Sequence, residues 1–385
     1  MPYFSDILED IHNYYTMELT ERNFIRLLCC GIFGSDDTIE PMSYWKWQRL
    51  FRMSLNHGVS ALVYDGIENH NGDFGMNIPD DIRDSWKTNV KEIEQFTRNT
   101  TGSTANLIRQ FQKDQLRPII LKGASMATLY PTPEHRTGGD CDILFLYEPQ
   151  AAKADEWVRA NASRVEQKDN YTLAYLWDGM MVENHRQMSR LTNIWLNRRL
   201  QNIIDKETRC CDSTYVYIGD IRVETPSPTL SLLMELVRIA RYIVNDGLKL
   251  KQLVDLGVML RTIGAKVDFV KLQNWIDMLH MQKITTMEGT LLMTLFDFTD
   301  DELPFFNPRL SSDATMPTTD LLTFNGKTPN EWYFTQGTDI FVSSRNPKAL
   351  MWQISRAARY FRYYPLEVTT SFIHSFSHSL SHIEE

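Results

Sequence analysis

No stretch of the chain approaches the roughly eighteen consecutive apolar residues that a membrane-spanning helix needs. The amino terminus, MPYFSDILEDIHNYY, lacks the positive region followed by an apolar core that marks an export signal. These absences lead to the expectation of a cytoplasmic protein with no membrane partner. Excess positive charge is missing too. The formal net charge is −9, so nucleic acid is not indicated as a partner and would need a local basic patch. The five cysteines, with Cys29 and Cys30 adjacent, Cys210 and Cys211 adjacent and Cys141 alone, give neither CxxC zinc spacing nor a disulfide framework. Reduced, mostly buried thiols are expected. Internal repeats and low-complexity segments are absent as well.

What is present is a chain of 385 residues, 43% hydrophobic and 23% charged, long enough for two or three domains with buried cores. Leu19 to about Phe96 patterns as helices. Thr20 is placed to cap one with Phe24, Leu27, Leu28 and Ile32 on its apolar face and Gly34 at its end. Thr104–Leu116 and Glu148–Ala162 read as further helices. The runs Tyr171–Trp177 and Met180–Met188 flank Asp178-Gly179, a strong hairpin signal, and Arg209–Val223 supplies more strand material. Helical periodicity returns at Ser227–Asn245, Leu250–Leu260 and Val267–Leu279, and Lys348–Tyr363 and Thr370–His382 read as two closing helices. The patterns therefore predict an α+β chain. An N-terminal helical region spans 1–103, an α/β core on a small mixed sheet spans 104–225, and a C-terminal helical region spans 226–385 with a loop-rich part at 300–346.

The chemistry concentrates in Arg117–Tyr147, RPIILKGASMATLYPTPEHRTGGDCDILFLY. A strand-length run, Pro118–Leu121, ends in Lys122, Gly123, Ala124 and Ser125, and a second, Ile143–Leu146, follows Asp140, Cys141 and Asp142. Residues two apart on a strand share a face, so Asp140 and Asp142 repel each other unless a cation sits between them. A divalent ion is the usual answer. A small-residue turn after a strand leaves backbone N–H groups for phosphate oxygens, especially where a helix begins. Strand, turn, helix and carboxylate strand together point to a metal and nucleoside triphosphate site.

Leu121-Lys122-Gly123, Tyr130-Pro131, Arg136 and Gly139-Asp140-Cys141-Asp142-Ile143-Leu144 resemble the strand-end turn and Asp-x-Asp strand of the uncharacterised nucleotidyltransferase family of the polymerase β-like superfamily. Three flanking pieces are similar too: HGVSALVYDGI at His57–Ile67, VENH at Val182–His185 and GLKLKQLVDLGVML at Gly247–Leu260. The resemblance implies a small mixed sheet with helices on one side and two Mg2+ ions on the paired aspartates. It also implies transfer of a nucleoside monophosphate from a nucleoside triphosphate to an acceptor, with release of pyrophosphate. It puts Glu183 at the third metal ligand or the base, and Lys122, Gly123, Ala124, Ser125, Arg136 and Gly139 around the phosphates. The family's turn has Gly followed by Gly or Ser, whereas here Ala124 follows Gly123 and Ser125 comes one place later. Backbone contacts to phosphate survive that change.

The acceptor is left open between a small molecule, a protein and an RNA. A catalytically silent nucleotide-binding or interaction protein that retains the fold is the rival reading. Lys122 and Arg136 either neutralise phosphate or pair with aspartates, and His185, two after Glu183, either lines the site or is a hydrogen-bonded core residue. Lys251 and Asp255 are four apart on a predicted helix and form an ion pair or, by the resemblance, touch the nucleotide or the acceptor. Arg356, Arg359 and Arg362 form a basic stripe, most simply a solvated face. His374, His378 and His382 recur every four residues, which suits either a zinc or nickel site or an amphipathic docking tail.

Overall fold

The computed structural model describes residues 17–210, 214–311, 314–323 and 347–381, and the side chains of all of these but 210, 347–350 and 376–381. Four helices open it: α1 (Leu19–Phe33), α2 (Tyr44–Asn56), α3 (Ser60–Asn69) and α4 (Asp80–Lys113). Thr20 does not cap α1. The helix begins two residues earlier, at Leu19 with Glu18 at the cap position, the Glu21 carboxylate accepts from the Glu18 N–H at 3.2 Å, and Thr20 is buried in the first turn. Helices α1 and α3 cross closely at paired glycines. A Cβ on Gly31 would fall 1.9 Å from the Leu62 carbonyl oxygen, and one on Gly66 would fall 2.0 Å from that of Leu27.

Helix α4 is 34 residues long and continuous, so it runs through the boundary expected near 103 and absorbs the helix expected at Thr104–Leu116. Its two halves serve different cores. Trp86 and Val90 join an apolar cluster with the N-terminal and C-terminal helices, whereas Leu107, Ile108 and Phe111 pack under the sheet.

The strands are β1 (Ile119–Ile120), β2 (Asp140–Leu144), β3 (Ser163–Asp169), β4 (Thr172–Trp177), β5 (Met180–His185), β6 (Thr214–Ile218) and β7 (Ile221–Thr225). They form one seven-stranded mixed sheet in the order β3-β4-β5-β2-β1-β7-β6. The Asp178-Gly179 hairpin forms as expected, both residues at positive φ, and joins β4 to β5. Strand β3 is a polar, mostly exposed edge whose composition hides it from pattern reading. Arg209 lies at the end of a helix rather than starting a strand.

A four-residue turn of helix, α5 (Ala124–Ala127), follows β1, and α6 (Glu148–Asn161) and α7 (Ile194–Cys210) flank the hairpin in sequence. Period-two alternation gives the sheet two unlike faces. Cys141, Ile143, Tyr175 and Val182 pack on α4 and α6 through a stack in which Phe111 meets Phe145 and Trp157, and Trp157 meets Trp177. The other face carries Asp140, Asp142, Glu183 and His185.

The C-terminal helices are α8 (Pro228–Arg241), α9 (Leu250–Ile263), α10 (Phe269–Met278), α11 (Gln282–Phe296), α12 (Thr315–Leu322), α13 (Pro347–Tyr360) and α14 (Pro365–Ser381). Ser227 caps α8, accepting from the Leu230 N–H, and a π-turn at Tyr242–Asp246 ends the apolar stripe. Helix α12 lies inside the part expected to be loops. The helices before and after the sheet share one apolar core, to which Phe24, Trp47, Leu236 and Leu253 all belong. Cys29, Cys30 and Cys141 are free and buried, as expected. Among the described residues no helix is long and apolar enough to cross a membrane.

Candidate active site

Strands β2 and β5 run parallel, with Asp142 opposite Glu183 and Leu144 opposite His185. On one pleated face this register brings Asp142, Glu183 and His185 together, their donor atoms all within 4.8 Å of one another. His185 Nε2 lies 2.7 Å from Asp142 Oδ1 and 3.5 Å from Glu183 Oε2. Lys122 Nζ approaches Asp142 Oδ2 to 3.3 Å as an ion pair, and Lys168 binds Glu183 Oε1. Asp142 is only 3% exposed, and its Oδ2 has no hydrogen-bond partner among the described residues. Burial opposes its charge, but the bond to His185 and the Lys122 ammonium outweigh burial and hold its carboxyl below the usual range. Burial likewise opposes the charge of Lys122, and the attraction of Asp142 raises it overall.

Asp140 stands apart from this group. It begins β2 on the same face, with its side chain exposed. Two carboxylates and an imidazole, one carboxylate oxygen buried without a hydrogen bond, form a donor set that fits a divalent cation.

The turn after β1 is pressed against the start of β2. Gly123 has φ +77° and ψ −116°, and a Cβ there would lie 2.5 Å from the Asp140 carbonyl oxygen, so only glycine closes this turn. The backbone of Ala124 and Ser125 then opens α5 beside the carboxylate strand.

Arg136, expected near phosphate, already has partners. It is 4% exposed, grips Asp255 through two bonds of 2.8 and 2.9 Å, and donates to the Gly123 carbonyl at 3.2 Å. Asp255 also accepts from Tyr130 Oη at 2.6 Å and from Arg238 at 3.2 Å, and Arg238 in turn holds Glu235. Burial opposes the charge of Asp255, and the two arginines overcome it and push its carboxyl far below the usual range. The ion pair expected between Lys251 and Asp255 is not among those of the described residues, because arginines have taken the carboxylate.

Lys251 points instead toward the glycine loop ahead of β2, where a Cβ on Gly138 would lie 3.6 Å from its Nζ. Burial first, then Arg136, lowers its ammonium to about 7. Gly139 packs on Phe96 of α4, whose ring a Cβ at that position would approach to 3.0 Å. The same loop is pinned by His135, which bonds Asp65 of α3 at 2.8 Å and Glu94 of α4 at 3.1 Å. His57 reaches the start of α9 through its ring and its carbonyl. The sequence pieces around His57, Asp142, Glu183 and Lys251 thus meet in one place.

Sequence reasoning missed Lys168, Glu235 and Arg238. The signal for the last two was their spacing of three on a helix otherwise read as an apolar stripe. The arginine stripe is solvated only in part, with Arg362 exposed and Arg359 half-buried. Arg356 is buried against Trp352 and Tyr360, Arg359 pairs with Asp320, and Arg362 donates to Tyr363. Of the histidine stripe, His374 is exposed, while the His378 side chain and His382 lie outside the described residues.

Among solved structures, the chain is similar to an antigenic nucleotidyltransferase-like protein from Paracoccidioides brasiliensis, with 12% identity over 51% of this chain and 92% of the other and a TM-score of 0.35. A likeness that slight carries no argument. No curated protein matches the chain. The model of the family described as uncharacterised nucleotidyltransferase matches residues 44–296, from the first residue of α2 to the last of α11, and with more than half of its length matched the chain belongs to that family.

Proposed function

We propose that the chain moves a nucleoside monophosphate from a nucleoside triphosphate to an acceptor hydroxyl, releasing pyrophosphate. The observation that carries this reading is the junction of the Gly123 turn with β2, which sets backbone N–H groups suited to phosphate beside the Asp142–Glu183–His185 group. Asp142 and Glu183, with Asp140 at the open end of the strand, would hold divalent cations. Such ions, when bound, neutralise the triphosphate and stabilise the oxygens that gain charge as the bond to the α-phosphorus breaks.

The remaining roles belong to side chains of this chain. Glu183, as the alternative to holding an ion, would take the acceptor's proton as the acceptor oxygen attacks the α-phosphorus, and the leaving pyrophosphate carries its charge toward Lys122 and Lys251. Arg136 shapes the turn by holding the Gly123 carbonyl, and Asp255 holds Arg136 in place.

The double variant Asp140→Asn, Asp142→Asn is expected to lose metal-dependent triphosphate binding in calorimetry while its circular dichroism stays that of the wild type. Unchanged binding would overturn the reading. Labelled nucleoside triphosphates incubated with the protein, a divalent cation and cell extract as acceptor source separate transfer from the rival. Label transfer supports the enzyme, and binding without transfer supports the silent nucleotide-binding protein.

A further inference from the structure

The donor set on the sheet face differs from the all-oxygen set expected for magnesium, because one of its three members is an imidazole nitrogen. His185 owes its place to register. It follows Glu183 by two on β5, so both share the face of Asp142, and the parallel pairing with β2 carries its Nε2 to 2.7 Å from Asp142 Oδ1. The ring is oriented from behind. Thr172, its antiparallel partner on β4, has its hydroxyl 3.4 Å from Nδ1, which leaves Nε2 as the atom turned toward the carboxylates.

An independent observation says that the group is incomplete. Asp142 Oδ2 is buried and, among the described residues, is met by the Lys122 ammonium at 3.3 Å without a hydrogen bond of good geometry, so it keeps acceptor capacity for a further group. That ammonium belongs to a side chain that is 37% exposed.

From this geometry we propose that His185 is a nitrogen ligand of the bound cation, and that the site thereby takes a first-row transition ion ahead of magnesium. The inference rests on the cation role given above to Asp142 and Glu183 and adds the class of ion. Carboxylate oxygens serve magnesium, manganese and calcium alike, whereas an imidazole nitrogen adds affinity for transition ions and little for magnesium, which keeps to oxygen ligands and water.

The test uses the full chain with Mn2+ alone and no nucleotide. Pulsed electron paramagnetic resonance of the wild-type protein with Mn2+ is expected to show coupling to a nitrogen nucleus, and His185→Gln is expected to lose it. In calorimetry the same variant is expected to bind Mn2+ about tenfold more weakly or worse, with Mg2+ affinity changed less than about threefold. Several outcomes overturn the inference: no Mn2+ binding by the wild type, Mn2+ bound without nitrogen coupling, coupling retained in His185→Gln, or equal losses for both ions. The wild-type spectrum needs no variant, so poor folding of His185→Gln cannot blur the answer. Nor does the result depend on turnover. Nitrogen coupling without label transfer leaves the inference standing and removes the transfer reading, and transfer with Mg2+ in a protein that shows no coupling does the reverse.

Discussion

Two charged groups lie close together between the sheet and the helical body, and they are built on opposite principles. Around Asp255 the carboxylates are fully met, although Arg238 Nε is buried without a hydrogen bond among the described residues. Each oxygen of Asp255 and Glu235 has an arginine or tyrosine donor, and Asp255 is wholly buried. Around Asp142 the account is open. One buried oxygen lacks a hydrogen bond among the described residues, the two lysines in attendance are 37% and 39% exposed on their side chains, and the imidazole faces both carboxylates. A buried carboxylate fully met by its neighbours holds structure, whereas a buried carboxylate left short is disposed to receive something. The link between the two is Arg136, which spans from Asp255 to the carbonyl of Gly123 and so ties the rigid group to the turn beside the open one.

The largest effect that would break this contrast belongs to Asp255→Asn. Removing one partner from a buried pair strands Arg136 in the interior and takes from Arg238 one of its two carboxylates, and the expected loss is about 3–5 kcal/mol, read from urea unfolding near neutral pH. The carboxyl is held below its unfolded value. Its stabilisation is therefore present at neutral pH and drains as pH falls from the unfolded value to the depressed folded one, so acidification should narrow the gap between variant and wild type. A loss under about 1 kcal/mol would mean that the closed group is no more structural than the open one.

A smaller effect sharpens the contrast from the other side. Glu288 of α11 is wholly buried and neither of its oxygens has a hydrogen bond among the described residues. Burial, and then the charge of Glu235, pushes its carboxyl well above the usual range. The unfolded chain gives up this proton at about pH 4.3, while the folded chain keeps it, so the folded state binds more protons above that pH and loses stability as pH rises. Glu288→Gln, which stays neutral in both states, is expected to raise the melting midpoint by several degrees at neutral pH and to leave it unchanged near pH 4. Equal shifts at both pH values would show that Glu288 acts through packing rather than charge.

Local pattern in the sequence carries much of the open group and almost none of the closed one. Period-two alternation puts Asp140 and Asp142 on one face, and the Asp178-Gly179 turn fixes the phase of the strand bearing Glu183 and His185. What local pattern does not supply is the parallel register that selects Asp142, Glu183 and His185 and leaves Asp140 at the edge. Arg136 meets Asp255 across 119 residues, a pairing that no helical or strand period encodes, and so the nearby Lys251 looks like the natural partner in the sequence. Periodicity also passes over β3, whose SRVEQKD carries too little apolar material to look like a strand, and splits α4, whose apolar face changes cores midway. Architecture follows from periodicity wherever one face is buried throughout.

The smallest expected effect is the most direct probe of the open group. Lys168 binds Glu183 Oε1, yet the pair is part exposed, so solvent and salt screen it and its loss should change stability by no more than about 0.5 kcal/mol. Its charge still stands beside a carboxylate that a cation would use. One unit charge removed at such a distance near the surface is worth about 1 kcal/mol, so Lys168→Ala is expected to raise Mn2+ affinity by up to about fivefold in calorimetry at low salt. Because the Debye length shrinks to about 3 Å at 1 M salt, the gain should fade there. A drop in Mn2+ affinity would instead make the lysine part of the completed site, and Glu183 would then belong with Asp255 among the carboxylates that are already satisfied.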